Sequence, residues 1–467
     1  MMGAPFRASD AVRWTRGALV RGSADAVLRG VSIDTRTLGA GELFVAIGGP
    51  RHDGHDHLAA AVASGAAGAM VARGRSLPEG LPEALPVVAV EDTTLGLGAL
   101  AAGHRAAFSG PVVAITGSNG KTTTKEMCAA ILATAGPCLR TVGNLNNQYG
   151  LPLTLLRRSP EDRFAVVEIG MNHRGEIAPL AAIARPSVAV VTNVGTAHIE
   201  HLGSRDEIAR EKGDLLAATG PEGSGVIPAG DDYADALAGR IRGRILRFGR
   251  GPGADVRAEQ PVQEASGFRF ELATPAGRST VRVAGLGETA VSNALAAAAA
   301  ALAAGASLAN VALGLAGYRP VAGRLERRAL PCGAVLIDDS YNANPQSMEV
   351  ALRMLASCPA EGRRIAVLGD MGELGPTSDK AHREAGRLAA QLGIDWLLAL
   401  GQNAERVVSG AREAGMAASR THVAASHEDV ADRLRGELGA GDWVLVKGSR
   451  SMRMERVAEL LGARERT

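Results

Sequence analysis

Short apolar runs that alternate with helix-like stretches dominate the middle and the end of the chain. VVAIT (112–116), AVVEI (165–169) and VAVVT (188–192) each lead into a polar turn. Beyond a Gly- and Pro-containing segment, the alternation returns with AVLID (334–338), IAVLG (365–369), WLLAL (396–400) and WVLV (443–446). Runs of this length predict buried strands. Strands that alternate with helices predict parallel sheets, whose ligands bind at the C-terminal ends of the strands.

The N-terminal part has a looser version of this pattern. LFVAI (43–47) and PVVAV (86–90) are strand-like, and the Ala-rich segment 58–68 between them is helix-like. A chain of 467 residues is too long for one hydrophobic core. We therefore predict an α/β protein of three domains: residues 1–109, residues 110–321 with the parallel sheet, and residues 322–467 with a Rossmann-like fold.

Composition and charge narrow the function classes. The formal net charge is +2, which gives no electrostatic reason to expect binding to nucleic acid or to a membrane surface. The N-terminal segment 1–17 lacks the apolar core of a signal peptide, and the most apolar stretch, 289–304, is shorter than the ~20 residues of a spanning helix. We expect that stretch to form a buried helix. Four scattered cysteines fit reduced thiols and a cytoplasmic location.

A glycine-containing turn between a strand and a helix is the strongest local signal. In ITGSNGKTTTKEM (115–127), Gly117 and Gly120 let the backbone curl around an anion. Lys121 adds a positive charge, and the Thr122 hydroxyl can hold Mg²⁺. The general pattern G-x-x-x-x-G-K-[ST] is not fully met, because an isoleucine occupies its first position. An ordinary turn before a helix is the alternative, but the order strand, turn, Lys-Thr, helix predicts a nucleotide site.

The loop TGSNGKT (116–122) resembles the ATP loop of the Mur ligases and the related folylpolyglutamate synthases. Those enzymes form an amide bond from a carboxylate and an amine at the expense of ATP. By this resemblance the chain binds ATP, and the loop contacts would come from Thr116, Gly117, Asn119, Gly120, Lys121, Thr122 and Thr123.

Three further motifs follow in the order and spacing of the family: GNLNNQYGLPLTLL (143–156), EIGMNHRGEI (168–177) and TNVGTAHIEHLGSRDEIAREKGD (192–214). The resemblance implies that two Mg²⁺ ions are bound, and that the catalytic residues and metal ligands are drawn from Lys121, Thr122, Glu168, His198 and Lys212. Thr122 and Glu168 would bind one ion, and His198 would help to bind the second.

Lys212 falls at the family lysine that CO₂ converts into a carbamate. That change would turn a cation into an anionic oxygen ligand beside metal and phosphate. The alternative is a solvated helix residue among charged neighbours. The sequence HIEH (198–201) does not predict zinc, because it lacks the i, i+4 histidine spacing of H-E-x-x-H.

The segment 285–300 resembles the helix that lies beside adenine in the family. Thr289 and Ala290 replace the usual His and Asn of that helix, whereas Asn293 is retained. The same segment also fits a dinucleotide fingerprint loosely, but no strand-to-phosphate-turn context supports that interpretation. Farther along, AGRLE (322–326) and LIDDSYNANPQSM (336–348) match the family. By resemblance, their Arg324 and Asp339 approach the nucleotide across a domain cleft.

The N-terminal segment 30–66 resembles the UDP-binding domain of the later Mur ligases, which folylpolyglutamate synthases lack. By this resemblance the uridine diphosphate would be met by Asp34, Thr35, Arg36, Asp53 and His55. His52, His55 and His57 could instead suggest a metal cluster, although a hydrated loop explains these polar residues equally well.

The third domain distinguishes the branches of the family. DDSYNANP (338–345) and GDMGELG (369–375) resemble the branch that adds D-alanyl-D-alanine, whereas the branch that adds lysine or diaminopimelate usually carries D-Y-A-H-T-P. The implied substrates are UDP-N-acetylmuramoyl-tripeptide and D-alanyl-D-alanine, joined through an acyl phosphate. Further substrate contacts would come from Asn146, Asn147, Tyr341, Asn342 and Asn344.

Other functions stay open at this point. They are the ligase that acts one step earlier, a kinase or nucleotide hydrolase with the same loop, and a non-catalytic nucleotide switch. The set Thr122, Glu168, His198 and Lys212 disfavours a switch, because a binding module needs no second metal site. We expect a monomer.

Overall fold

The computed structural model describes residues 3–49, 52–264, 266–462 and 464–465. Residues 50 and 51, within the motif at 30–66, lie outside the described residues. Three large sheets follow one another along the chain, with five, nine and seven strands. Their order matches an α/β protein built from three successive units.

The first unit contains a two-stranded ribbon and the five-stranded sheet. Its strands are β1 (Phe6–Arg7), β2 (Ala18–Arg21), β3 (Val27–Leu28), β4 (Val31–Ser32), β5 (Leu43–Val45), β6 (Gly68–Ala72) and β7 (Val87–Val90). Its helices are α1 (Ala8–Thr15), α2 (Leu58–Ala63) and α3 (Thr93–Ala106). The sheet order is β2-β7-β6-β5-β4, parallel except for β2. Both predicted strands are confirmed, but the helix predicted at 58–68 ends at Ala63, because the chain turns at Gly65, which has φ 96°, before β6 begins at Gly68.

The central unit contains the nine-stranded sheet. Its strands are β8 (Val112–Thr116), β9 (Cys138–Arg140), β10 (Phe164–Glu168), β11 (Val188–Val191), β12 (Ser224–Pro228), β13 (Arg244–Gly249), β14 (Val256–Glu264), β15 (Gly267–Thr274) and β16 (Gly277–Ala284). Its helices are α4 (Lys121–Ala133), α5 (Gly150–Leu156), α6 (Ile177–Ala184), α7 (Ile199–Leu202), α8 (Arg205–Ala217), α9 (Ala234–Ala238), α10 (Glu288–Ala303) and α11 (Leu308–Gly317).

The predicted parallel sheet is confirmed in this unit. The order is β16-β15-β14-β13-β12-β11-β8-β10-β9, and the three predicted runs are its adjacent strands β11, β8 and β10. Strands β14 to β16 form an antiparallel extension that was not predicted. Their buried and exposed positions are mixed, so they lack the continuous apolar run of a central strand. Helix α10 is buried as predicted, with every residue from 294 to 301 inaccessible to solvent.

The third unit contains the seven-stranded sheet. Its strands are β17 (Glu326–Ala329), β18 (Val335–Asp339), β19 (Arg364–Gly369), β20 (Trp396–Leu400), β21 (Thr421–Ala424), β22 (Trp443–Lys447) and β23 (Arg464–Glu465). Its helices are α12 (Pro345–Ser357), α13 (Ser378–Gln391), α14 (Ala404–Glu413), α15 (His427–Arg435) and α16 (Glu455–Leu460). The order β21-β20-β19-β22-β18-β17-β23 is parallel up to β18. All four predicted runs are strands of this sheet.

The hydrophobic cores show how the units are joined. One core cluster contains Leu100 of α3 together with Leu180 of α6, so the first and central units share buried contacts. The third unit has two clusters of its own. It meets the central unit across a cleft and through Leu286, which packs against one of these clusters. No helix in the described part of the chain has the length and apolarity of a membrane span.

Candidate active site

The loop between β8 and α4 has the backbone that an anion site requires. Gly120 has φ 81° and Gly117 has φ 150°, conformations that residues with a Cβ atom rarely adopt. A Cβ atom on Gly117 would lie 1.8 Å from Oγ1 of Thr192. Helix α4 begins at Lys121, whose Nζ donates to the carbonyl of Gly117 at 2.8 Å. The loop therefore places a helix N-terminus and a lysine at the C-terminal edge of the sheet.

Thr192 and Asn193, which directly follow β11, hold this loop in place. Neither was predicted from the sequence to be a site residue. Asn193 accepts from the Ser118 N–H through its carbonyl (3.1 Å) and from the Asn119 N–H through Oδ1 (3.0 Å). The Thr192 hydroxyl donates to the Asn119 carbonyl at 2.6 Å. The available signal was a polar pair directly after a buried strand.

A buried carboxylate faces the start of α4. The Thr122 hydroxyl donates to Oε2 of Glu168 at 2.7 Å, and Nδ2 of Asn146 donates to Oε1 at 2.8 Å. Glu168 is the last residue of β10 and is 2% exposed. Hydroxyl and carboxylate oxygens are ligands that Mg²⁺ prefers. The donor set beside the loop therefore fits a magnesium ion.

Lys212 on α8 is 1% exposed, so the alternative of a solvated helix residue is wrong. Burial, reinforced by the positive charge of Lys121, lowers the pKa of Lys212 well below its ordinary value. In the described part of the chain its ammonium group has no hydrogen-bond or ion-pair partner. The preceding residue, Glu211, accepts from the N–H groups of Gly175 and Ile177 instead, each at 2.9 Å.

His198 meets the third unit across the cleft. Its Nδ1 lies 2.5 Å from Oε2 of Glu373, and both residues have positive φ angles, 61° and 58°. This hydrogen bond is the main reason that the pKa of Glu373 lies below its ordinary value. A contact between loops so distant in sequence could not be predicted from either motif alone.

Asp339 and Arg324 approach the cavity from the third unit. Lys447 donates to Oδ2 of Asp339 at 2.6 Å and to the Asn342 carbonyl at 2.9 Å. Burial raises the pKa of Asp339, and the Lys447 ammonium opposes that shift. The Arg324 guanidinium lies over the Tyr341 ring, 4.0 Å from its centroid. Lys447 was missed as a site residue, although a lysine that ends the buried strand β22 is a recognisable signal.

Asn119 of the nucleotide loop contacts the third unit directly. Asn119 Nδ2 donates to Oε1 of Gln346, and Asn344 Nδ2 donates to Oδ1 of Asn119, both at 2.9 Å. Asn344 also caps α12 by accepting from the Ser347 N–H at 2.9 Å. The side chain predicted to contact ATP is therefore engaged by protein groups in this structure.

A cavity of about 1400 Å³ joins these parts and is lined by both the central and the third unit. The predicted residues in its lining are Asn119, Gly120, Lys121, Thr122, Thr123, Asn146, Asn147, Glu168, His198, Asn293, Arg324, Asp339, Tyr341, Asn342 and Asn344. Thr289 also lines it, whereas Ala290 is buried. Among the predicted residues, the lining leaves out Thr116, Gly117, Lys212 and the five residues of the first unit.

Those five residues form two local clusters. Asp34 pairs with Arg36 at 2.6 Å. The hydrogen bonds that Arg36 donates from its side chain and its backbone lower the pKa of Asp34 to about 2. Thr35 lies between them and is partly exposed. Asp53 contacts Nδ1 of His55 at 2.5 Å.

Nε2 of His55 accepts from the Ala72 N–H at 2.9 Å. Both ring nitrogens of His55 are thus engaged. No group of three metal-binding side chains occurs in the described ranges, so the histidine-cluster alternative gains no support.

Comparison with known proteins places this site in a family. Three family models match successive parts of the chain: "Mur ligase family, catalytic domain" (residues 27–105), "Mur ligase middle domain" (115–301) and "Mur ligase, glutamate ligase domain" (323–450). A relative from Escherichia coli (strain K12), named UDP-N-acetylmuramoyl-tripeptide--D-alanyl-D-alanine ligase, is 38% identical over 445 residues, 94% of each chain.

Solved structures agree with these matches. "Crystal structure I of MurF from Acinetobacter baumannii" is 34% identical, with a TM-score of 0.88 over 98% of this chain and 99% of that one. The MurF ligase from Thermotoga maritima in complex with ADP is 29% identical, with a TM-score of 0.81 over 93% and 97%. The family resemblance predicted from the motifs is confirmed, and this chain belongs to the Mur ligase family.

Proposed function

We propose that this chain is an ATP-dependent ligase that adds D-alanyl-D-alanine to UDP-N-acetylmuramoyl-tripeptide. The observation that carries the proposal is the cavity shared by two units, which puts the nucleotide loop opposite Arg324 and Asp339. A ligase must hold ATP and the incoming amine at one place, whereas a simple nucleotide site needs only the loop. The names of the relatives support this particular pair of substrates.

The reaction requires two transfers at one centre. The terminal carboxylate of the tripeptide attacks the γ-phosphorus of ATP, which gives an acyl phosphate and ADP. The amine of D-alanyl-D-alanine then attacks the acyl carbon, and phosphate leaves. Both steps concentrate negative charge, so the Lys121 ammonium and the N–H groups at the start of α4 would stabilise them.

Magnesium would bind beside these groups. Thr122 and Glu168 would hold one ion, with Glu168 oriented by the Asn146 amide, and His198 and a modified Lys212 would hold the other. The ions would neutralise phosphate charge. His198 would bind its ion through Nε2, because Nδ1 is engaged by Glu373, and a carboxylate on the other ring nitrogen is the usual support of a metal-binding histidine.

The burial of Lys212 supports its carbamylation. A lowered pKa favours the neutral amine, whose lone pair can attack the carbon of CO₂. The nitrogen–carbon bond forms as one proton leaves, and the product carries a carboxylate. This change would replace a buried amine by an anion near Lys121 and magnesium.

The first unit would bind the uridine diphosphate through Asp34, Thr35, Arg36, Asp53 and His55. Arg36 is exposed, which suits contact with phosphate. His55 would contribute through its hold on Asp53 rather than by direct contact, because both of its nitrogens are engaged. A monomeric state and a cytoplasmic location are part of the proposal.

Phosphate release from Mg-ATP tests the proposal. Purified protein would receive UDP-N-acetylmuramoyl-tripeptide and D-alanyl-D-alanine separately and together, with a parallel set of UDP-dipeptide with lysine or diaminopimelate. We expect release only when tripeptide and D-alanyl-D-alanine are both present. Release only in the parallel set would instead identify the ligase that adds lysine or diaminopimelate to the UDP-dipeptide. Release with ATP alone, unchanged by acceptors, would indicate a hydrolase.

A further inference from the structure

The carboxamide of Asn119 joins the nucleotide loop to the third unit. Its oxygen accepts from Asn344 and its nitrogen donates to Gln346, both at 2.9 Å. Its backbone is fixed separately by Thr192 and Asn193. The loop conformation therefore does not depend on these two side-chain contacts, which leaves them free to serve another purpose.

The two partners are presented by a rigid helix start. Asn344 is the N-cap of α12 and Pro345 follows it, while the Ser347 hydroxyl accepts from the Asn344 N–H at 3.0 Å. The Asn344 oxygen holds the helix, so only its Nδ2 reaches Asn119. The position of α12 is thereby tied to the loop.

A glycine makes room for the other partner. A Cβ atom on Gly195 would lie 2.0 Å from Oε1 of Gln346, the atom that accepts from Asn119. Gly195 does not have a positive φ angle, so alanine fits its backbone conformation. Replacement by alanine would displace the flexible end of Gln346, and the new Cβ atom would also lie 3.2 Å from the Cβ atom of Ser118.

We propose that Asn119, Asn344 and Gln346 form an interdomain clasp that positions the third unit over the nucleotide loop, with Gln346 as a positioning residue. Arg324, Asp339 and Tyr341 belong to the unit that the clasp holds. Its loss would let them move away from the loop without removing any of them. The role in catalysis rests on the proposed ligase function, whereas the structural role does not.

The test measures the separation of the two units without any ligand. Spin labels on the exposed native Cys332 and on Glu222→Cys, also exposed, would report the distance between the third and central units. Burial raises the pKa of the Cys138 thiol to about 12, which disfavours its labelling. We expect a narrow distance distribution in the parent protein and a broader one in Gln346→Met. Methionine has a side chain of similar length but lacks the carboxamide oxygen that accepts from Asn119.

Two further variants make the test specific. Gln346→Glu retains an acceptor oxygen and should keep the narrow distribution. Gly195→Ala should broaden it, yet add little in a Gln346→Ala background, because its closest clash is with that side chain. Unchanged distributions in Gln346→Met and Gly195→Ala would overturn the clasp.

Kinetics separates a positioning role from nucleotide binding. For Gln346→Met we expect kcat/KM for D-alanyl-D-alanine to fall about three- to tenfold, the range of one neutral hydrogen bond. The Kd for ADP should change less than twofold. A tenfold loss of ADP affinity with unchanged distances would overturn the proposal. An inactive parent protein whose narrow distribution broadens in Gln346→Met would contradict the ligase function and leave the clasp supported.

Discussion

At the scale of single residues, three buried lysines show how surroundings decide the role of a charge. Lys125 donates to the Thr141 carbonyl at 2.6 Å and lies 2.8 Å from a Glu126 oxygen. Lys447 pairs with Asp339 at 2.6 Å. Lys212 has neither kind of partner in the described part of the chain. A buried cation is costly unless it is paired, and carbamylation would remove the positive charge of the lysine. Lys212 is therefore the lysine of these three that we expect to be carbamylated.

We predict that Lys212 carries a carbamate. After incubation with ¹³C-bicarbonate, an NMR carbamate signal should be present in the parent protein and absent from Lys212→Arg. Lys125→Arg is the matched control and should keep the signal, because Lys125 is already paired with Glu126 and Thr141. Removal of dissolved CO₂ should lower phosphate release, and bicarbonate should restore it. Equal signals in the parent protein and Lys212→Arg would rule the carbamate out.

Lys121 provides a second prediction at this scale. Lys121→Ala should reduce phosphate release about 10²- to 10³-fold, because a preorganised charge at the transferred phosphate is lost. Lys121→Arg keeps the charge and should lose less. The thermal midpoint should stay nearly constant, since the Nζ makes one hydrogen bond to Gly117. Near-normal turnover of Lys121→Ala would contradict the proposed mechanism.

At the scale of elements, glycines set how closely helices approach. Helices α13 and α14 pack against each other, and a Cβ atom on Gly386 would lie 1.8 Å from the Val407 carbonyl oxygen. A Cβ atom on Gly410 would lie 1.9 Å from the Arg383 carbonyl oxygen. Both obstacles are backbone atoms, which cannot move without moving a helix. The pair therefore requires glycine at both positions.

We predict that Gly386→Ala lowers the free energy of unfolding of the third unit by about 1–3 kcal/mol, as expected for overpacking. Gly436→Ala is the control in the same unit. Gly436 has φ −73°, and the nearest atoms to an added Cβ are 4.0 Å away. Urea denaturation followed by circular dichroism would measure both variants. Equal midpoints would show that α13 and α14 can separate without cost.

At the scale of the whole molecule, the third unit has its own cores and touches the central unit through polar contacts as well as through Leu286, which packs against one of those cores. The polar contacts include the His198–Glu373 hydrogen bond and the clasp on Asn119. Exposed polar contacts contribute little free energy compared with a shared apolar core. The placement of the third unit should therefore respond to ligands that bind in the cleft.

We predict that Mg-ATP draws the third unit closer to the central unit, because the nucleotide bridges the loop and Arg324. Small-angle X-ray scattering should give a smaller radius of gyration with Mg-ATP than without it. Arg324→Ala should weaken this compaction while it leaves the ligand-free profile unchanged. The same radius of gyration with and without nucleotide would contradict closure.

The buried parallel strands and the nucleotide loop could be predicted from the sequence because their signals are local. Apolar runs such as 112–116 and 396–400 match strands β8 and β20 residue for residue. The antiparallel strands β14 to β16, at one end of the sheet, were missed because their mixed buried and exposed positions give no continuous apolar run. Thr192 and Lys447 were missed as site residues because one polar residue at a strand end is a weak signal by itself.

The sequence by itself determined the three α/β units, the loop that can cradle a phosphate and the family to which the chain belongs. Each of these depends on residues close together in the chain or on motif order. Only the tertiary structure decided that Asn119 meets Asn344 and Gln346, that His198 meets Glu373, and that Lys212 is buried without a partner. Such contacts join residues far apart in sequence, so they depend on how the units pack rather than on any local pattern.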